Sequence, residues 1–117
     1  MITDIAFSPD GRLLAVAGRD VACAVWDAAT FRSLTILAHQ NAWGVSGIGF
    51  SPDGQTLVTT SEDQTIRLWD VAKWRERAVL PDSSGRVREG CFAPDASALV
   101  TGGEDGSVRV WQLPLTS

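Results

Sequence analysis

The sequence predicts an all-β chain made of three copies of one small antiparallel sheet, and three observations point to it. Phe7-Ser8-Pro9-Asp10-Gly11 returns as Phe50-Ser51-Pro52-Asp53-Gly54 and, altered, as Phe92-Ala93-Pro94-Asp95-Ala96, so the phenylalanines fall 43 and then 42 residues apart. Trp26, Trp69 and Trp111 each follow their phenylalanine by 19 residues, and Asp20, Asp63 and Asp105 each precede their tryptophan by six. Residue types that hold one phase through three units identify an internal repeat, in which each unit covers the apolar face of its neighbour. Within a unit the apolar pattern has period two, and no stretch sustains the 3.6-residue period of a three-turn helix.

The elements follow in order. Strand a opens unit one at Ile2 to Phe7. The Ser-Pro-Asp-Gly group then joins strand a to strand b. Proline's fixed φ suits the second position of a tight turn, the aspartate side chain bonds nearby backbone, and glycine takes positive φ. Ala96 stands where the other units have Gly11 and Gly54. In strand b, Leu57, Thr59 and Ser61 alternate with Val58, Thr60 and Glu62, the pattern of a half-buried strand. Arg19-Asp20-Val21, Glu62-Asp63-Gln64 and Glu104-Asp105-Gly106 break the alternation in register and join b to c. Thr65-Ile66-Arg67-Leu68-Trp69 alternates again as strand c, and Leu34 to Leu37 and Arg77 to Leu80 form strand d. Phe7, Phe50 and Phe92 are expected to be buried at equivalent positions.

Composition narrows the function. The 117 residues make one domain; 44% are apolar and 21% charged, which suits a globular fold and excludes a disordered charged tail. The net charge is −4 with no basic run, which argues against a nucleic-acid partner. No window approaches the length of a membrane-spanning apolar stretch, and Met1 to Asp10 lacks a signal-peptide pattern, so the expected location is cytoplasmic and no membrane partner is expected. Cys23 and Cys91 are too few for a disulfide framework. Cys23 falls at a core position of strand c and Cys91 in a small-residue slot of strand a, so both read as buried thiols.

Four short strands in about 40 to 45 residues, with a Trp-Asp pair ending the third, is the spacing of one β-propeller blade. Trp26-Asp27 and Trp69-Asp70 carry that pair, Trp111-Gln112 is an altered copy, and Ala38-His39 stands where a Gly-His pair is usual. On these residues the chain resembles the WD-repeat family. The resemblance implies a partial β-propeller of three antiparallel blades at residues 1–37, 38–80 and 81–117. The last blade is expected to lack strand d, because Leu113 to Ser117 is short and broken by Pro114. Closure in the family usually pairs the first stretch of chain, as strand d, with the last three strands, whereas this sequence begins directly at strand a. Two expectations stand: the C-terminal part of a longer propeller that needs upstream blades, which the unpaired edge favours, or a subunit whose copies complete a ring.

Residues that suggest chemistry have structural readings. His39, Asp63 and Thr59 or Ser61 contain the parts of a Ser-His-Asp site. The resemblance instead implies a buried hydrogen-bonded chain of His39, Thr59 (rather than Ser61), Asp63 and Trp69 that braces the loops of blade two. Unit three keeps Thr101, Asp105 and Trp111 with Pro81 near the histidine position; unit one keeps Asp20 and Trp26. Gly102-Gly103-Glu104-Asp105-Gly106 is followed by neither Lys-Ser/Thr nor a helix, so it is a turn and not a phosphate loop. The acidic pairs Glu62/Asp63 and Glu104/Asp105 read as solvated turns, and no metal or cofactor is expected.

The expected function is therefore non-catalytic: a scaffold binding a protein or peptide. The residues bordering the family's usual binding face are Trp43, Gly44 and Arg86, followed by Arg19, Glu62 and Glu104. Trp43 stands out as a large aromatic in a polar loop, with packing against the next blade as its other reading. Phe31 and Trp74, each five residues after a blade tryptophan, are expected to cap the c-to-d turn. Two alternatives remain: a regulatory C-terminal propeller part of a larger enzyme or signalling protein, and a self-assembling propeller subunit.

Overall fold

The computed structural model describes residues 2–18, 23–37, 45–61, 65–81, 87–95, 97–103 and 105–112. Eleven strands account for most of them and none of them is helical. β1 (Ile2–Phe7), β2 (Leu13–Gly18), β3 (Cys23–Asp27) and β4 (Ser33–Leu37) form the first sheet. β5 (Val45–Phe50), β6 (Thr56–Ser61), β7 (Thr65–Asp70) and β8 (Arg75–Pro81) form the second. β9 (Val87–Phe92), β10 (Ala98–Gly103) and β11 (Val108–Gln112) form the third, which has three strands among the described residues. Every pairing is antiparallel between chain neighbours, and the register repeats. Leu14 faces Trp26, Leu57 faces Trp69, and Leu99 faces Trp111.

Alternation along the strands gives each sheet a leading face, which carries its tryptophan, and a trailing face. The trailing face of sheet one (Ala15, Cys23, Val25) packs with the leading face of sheet two (Ile48, Leu57, Trp69) in one apolar cluster. The trailing face of sheet two (Val58, Ile66, Leu68) packs with Leu99, Phe92 and Trp111 of sheet three in another. The inner strands β5 and β9 run so close that a Cβ on Gly49 would stand 3.3 Å from the Gly90 carbonyl, and one on Gly90 3.2 Å from Thr60 Cγ2. The architecture is a partial β-propeller of three antiparallel blades.

Stacking corrects three expectations. β6 is not half-buried: Leu57, Val58, Thr59, Thr60 and Ser61 are all buried, because the middle blade is covered on both faces. Phe7, Phe50 and Phe92 are equivalent in register but not in burial. Phe50 and Phe92 are partly buried against the preceding blade, whereas Phe7 is 60% exposed because no described residues cover that face. Cys91 is exposed, because its slot on β9 faces away from sheet two, across the trailing side of the last blade. Cys23 is buried as expected, and burial pushes its thiol up to about 12.

The a-to-b turns form as the sequence implies. Ser8 Oγ donates to Asp10 Oδ1 at 2.6 Å while accepting the Leu13 N–H, and Ser51 and Asp53 repeat both contacts. Gly11 and Gly54 both take φ of 73°. In the third turn, where alanine replaces that serine, Ser97 Oγ donates to Asp95 Oδ1 from the other side; Ala96 lies outside the described residues. The c-to-d turns place two aromatics in the left-handed region, Phe31 at φ 56° and Trp74 at φ 52°. Trp74 packs against the first cluster, while Phe31 is 66% exposed. A left-handed non-glycine residue stores roughly 1–3 kcal/mol, and only Trp74 offsets this by burial. Phe31→Gly should therefore stabilise the chain by about 1 kcal/mol, and Trp74→Gly should destabilise it by about 2 kcal/mol. Denaturant melts that shift in the same direction for both variants would contradict this difference.

Candidate functional site

Of the residues expected to build the blade-two brace, Thr59 and Trp69 are described; His39 and Asp63 lie outside the described residues. Trp69 Nε1 donates to Thr59 Oγ1 at 2.9 Å, with both side chains buried between blades one and two. The bond runs diagonally across the β6/β7 pair, because Trp69 stands opposite Leu57 and Thr59 is two residues further along β6. Blade three repeats it, with Trp111 Nε1 donating to Thr101 Oγ1 at 3.2 Å. Blade one has Val16 at the equivalent place, which offers no acceptor. A buried indole N–H left without an acceptor costs about 1–3 kcal/mol, so the hydroxyl occurs in the two blades whose tryptophan is covered by a neighbour.

The candidate partner residues Trp43, Gly44, Arg86, Arg19, Glu62 and Glu104 also lie outside the described residues. Their described chain neighbours locate the part of the fold they adjoin. Val45, which follows Gly44, pairs with Ser61, which precedes Glu62. Val87, which follows Arg86, pairs with Gly103, which precedes Glu104. Gly18, which precedes Arg19, pairs with Ile2. All five neighbours stand at the ends of the sheets where strand a begins and strand b finishes.

That end also carries a polar set along the inner strands which the sequence reading did not single out. Thr3 Oγ1 donates to the Val45 carbonyl at 2.6 Å, and the Ile48 N–H donates to Asp4 Oδ2 at 3.0 Å, so blade one holds blade two by side chain to backbone. Ser46 Oγ and Thr60 Oγ1 lie 3.0 Å apart within blade two. Asp4, Gly47 and Glu89 occupy matching places on β1, β5 and β9. At this level the carboxyls of Asp4 in blade one and Glu89 in blade three interact. Partial desolvation pushes Glu89 up to about 7, and the Asp4 charge and a hydrogen bond to Asp4 add to the rise. The visible signal was an acid, a glycine and an acid at one phase of the repeat. Further out, Arg67 Nη1 on β7 donates to Glu76 Oε2 on β8. Among the described residues no group of three metal-ligating side chains occurs.

These carboxyls give opposite pH dependences. Asp10 and Asp53 are held below the ordinary 3.8 chiefly by the Ser8 and Ser51 hydroxyls, with backbone N–H bonds adding, so their contribution to stability is lost as pH falls below that value. Glu89 titrates above its ordinary 4.5, so the folded chain binds a proton that the unfolded chain has released. Stability should therefore decline as pH rises from 4.5 to about 7, modestly because Glu89 keeps an exposed edge. Glu89→Gln should flatten that slope in urea midpoints. An unchanged slope would place the titration elsewhere.

Set beside known proteins, the chain matches the profile of the WD40 repeat, described as WD domain, G-beta repeat, over residues 1–27, 31–70 and 74–112. A search of curated proteins finds no match. The matched windows are offset from the sheets by one strand. The second runs from β4 through β7 and the third from β8 through β11, so each joins the outer strand of one blade to the three inner strands of the next. Blade tryptophan, serine-aspartate turn and strand register thus recur in phase with three repeats that span nearly all of the sequence, and the chain belongs to the WD40 repeat family.

Proposed function

We propose that the chain is a cytoplasmic protein-interaction scaffold that binds a protein or peptide through the loops at one end of its blades and has no chemistry of its own. The observation that carries this reading is the set of three WD40 repeats in phase, a repeat that generally serves protein–protein interaction and not catalysis. Stacked sheets of this kind are rigid, and rigid scaffolds place recognition on the loops they hold. Trp43 is the principal anchor in this reading, with Gly44 beside it, Arg86 as a cationic contact, and Arg19, Glu62 and Glu104 around them. Their chain neighbours gather at one end of the sheets, and Trp and Arg are the residue types that dominate interface energetics. His39 and Asp63 extend the Trp69–Thr59 bond and hold the loop that carries Trp43.

Selection of peptides from a displayed random library against the intact chain tests this. Binding of the selected peptides should weaken by about tenfold or more on Trp43→Ala or Arg86→Ala, at least ~1.4 kcal/mol, with the melting temperature unchanged. Peptides that bind both variants as tightly as the parent chain would overturn the assignment of this surface.

A further inference from the structure

Two apolar sheet faces stand uncovered at opposite ends of the stack, and they are counterparts of faces buried inside it. On the leading face of blade one, Ile5 and Phe7 are 54% and 60% exposed; the matching Ile48 is 4% exposed, and the matching Phe50 is packed into the first cluster. On the trailing face of blade three, Val108 and Val110 are 70% and 65% exposed, while the matching Ile66 and Leu68 are 0% and 4% exposed. Cys91 opens onto that same trailing side. The leading face is also more uniformly apolar than its buried counterparts. Val16 replaces the hydroxyl of Thr59 and Thr101, and Ala24 replaces the guanidinium of Arg67 and Arg109. Docking would trap none of those polar groups, so its desolvation cost is low.

We propose that the leading face of blade one docks on the trailing face of blade three of a second copy of this chain, in the register that already joins blades one to two and two to three. Continuity with the internal interfaces carries the proposal, since the two free faces supply the two halves of an interface the chain forms twice within itself. It does not depend on the scaffold reading. Head-to-tail contacts close only when the rotation divides a full turn. Closed propellers have about four to eight blades, so two copies fit, with both leading faces covered and the copies related by an axis along the propeller. In that ring Cys91 is shielded at both joints.

Light scattering on the 117-residue chain at micromolar concentration, with Phe7→Glu and Val110→Glu variants, tests the proposal. Both substitutions fall on exposed side chains, and far-UV spectra matching the parent chain would verify their folding. The parent should have twice the monomer mass, and each variant should be monomeric. An equimolar mixture of the two variants should regain dimer, because one undamaged leading face and one undamaged trailing face remain between them. Maleimide labelling of the parent's Cys91 should slow as concentration rises, which tests the contact without any variant. A monomeric parent whose Cys91 labels equally at all concentrations would overturn the proposal and leave the faces to other blades. A mixture that stays monomeric, a variant that stays dimeric, or open-ended aggregation would overturn the head-to-tail ring.

Discussion

Burial of the tryptophan-bearing faces of blades two and three, each against the sheet before it, holds the stack together. A sheet of three or four short strands is apolar on both sides and cannot cover either alone. Leu14, Leu57 and Leu99 show the consequence most plainly. They have the same residue type, the same strand and the same register opposite a tryptophan. Leu57 and Leu99 are fully buried, while Leu14 keeps part of its surface in solvent. Leu57 and Leu99 have a described blade in front of them, and Leu14 does not. At roughly 25 cal/mol per Å² of apolar surface, such contacts supply most of what holds one blade to the next.

Polar groups follow the same division. Where the tryptophan is covered, a strand b threonine accepts its indole N–H; where it faces outward, Val16 suffices. Where inner strands converge, Thr3 and Asp4 of blade one bond the backbone of blade two, and Asp4 also reaches Glu89 of blade three. The serine-aspartate turns of blades one and two are self-contained, and this explains why they recur almost unchanged in blades of unequal burial; in blade three Ser97 supplies the hydroxyl to Asp95.

Local features were legible in the sequence, and those that depend on place in the stack were not. Period-two patterning, turn chemistry and the Phe-to-Trp spacing fixed the eleven strands and their order, since each is set by residues within one unit. The Trp69–Thr59 bond is one link of the chain the resemblance implied, whose other members, His39 and Asp63, lie outside the described residues. The exposure of Phe7 and Cys91 and the two-sided burial of β6 are not legible, because repeated residues look alike in sequence whether their blade is internal or terminal. The Asp4–Glu89 contact joins residues two units apart, so no local pattern announces it.

Stacking, and not the strength of any one sheet, sets the order of stability. Native-state hydrogen exchange on the chain carrying both Phe7→Glu and Val110→Glu measures it directly, since only the two internal interfaces then remain. Amides of Thr56–Ser61 and Thr65–Asp70 should exchange slowest, through global unfolding, with Leu13–Gly18 and Cys23–Asp27 opening earlier. Equal protection across all three sheets would contradict the account.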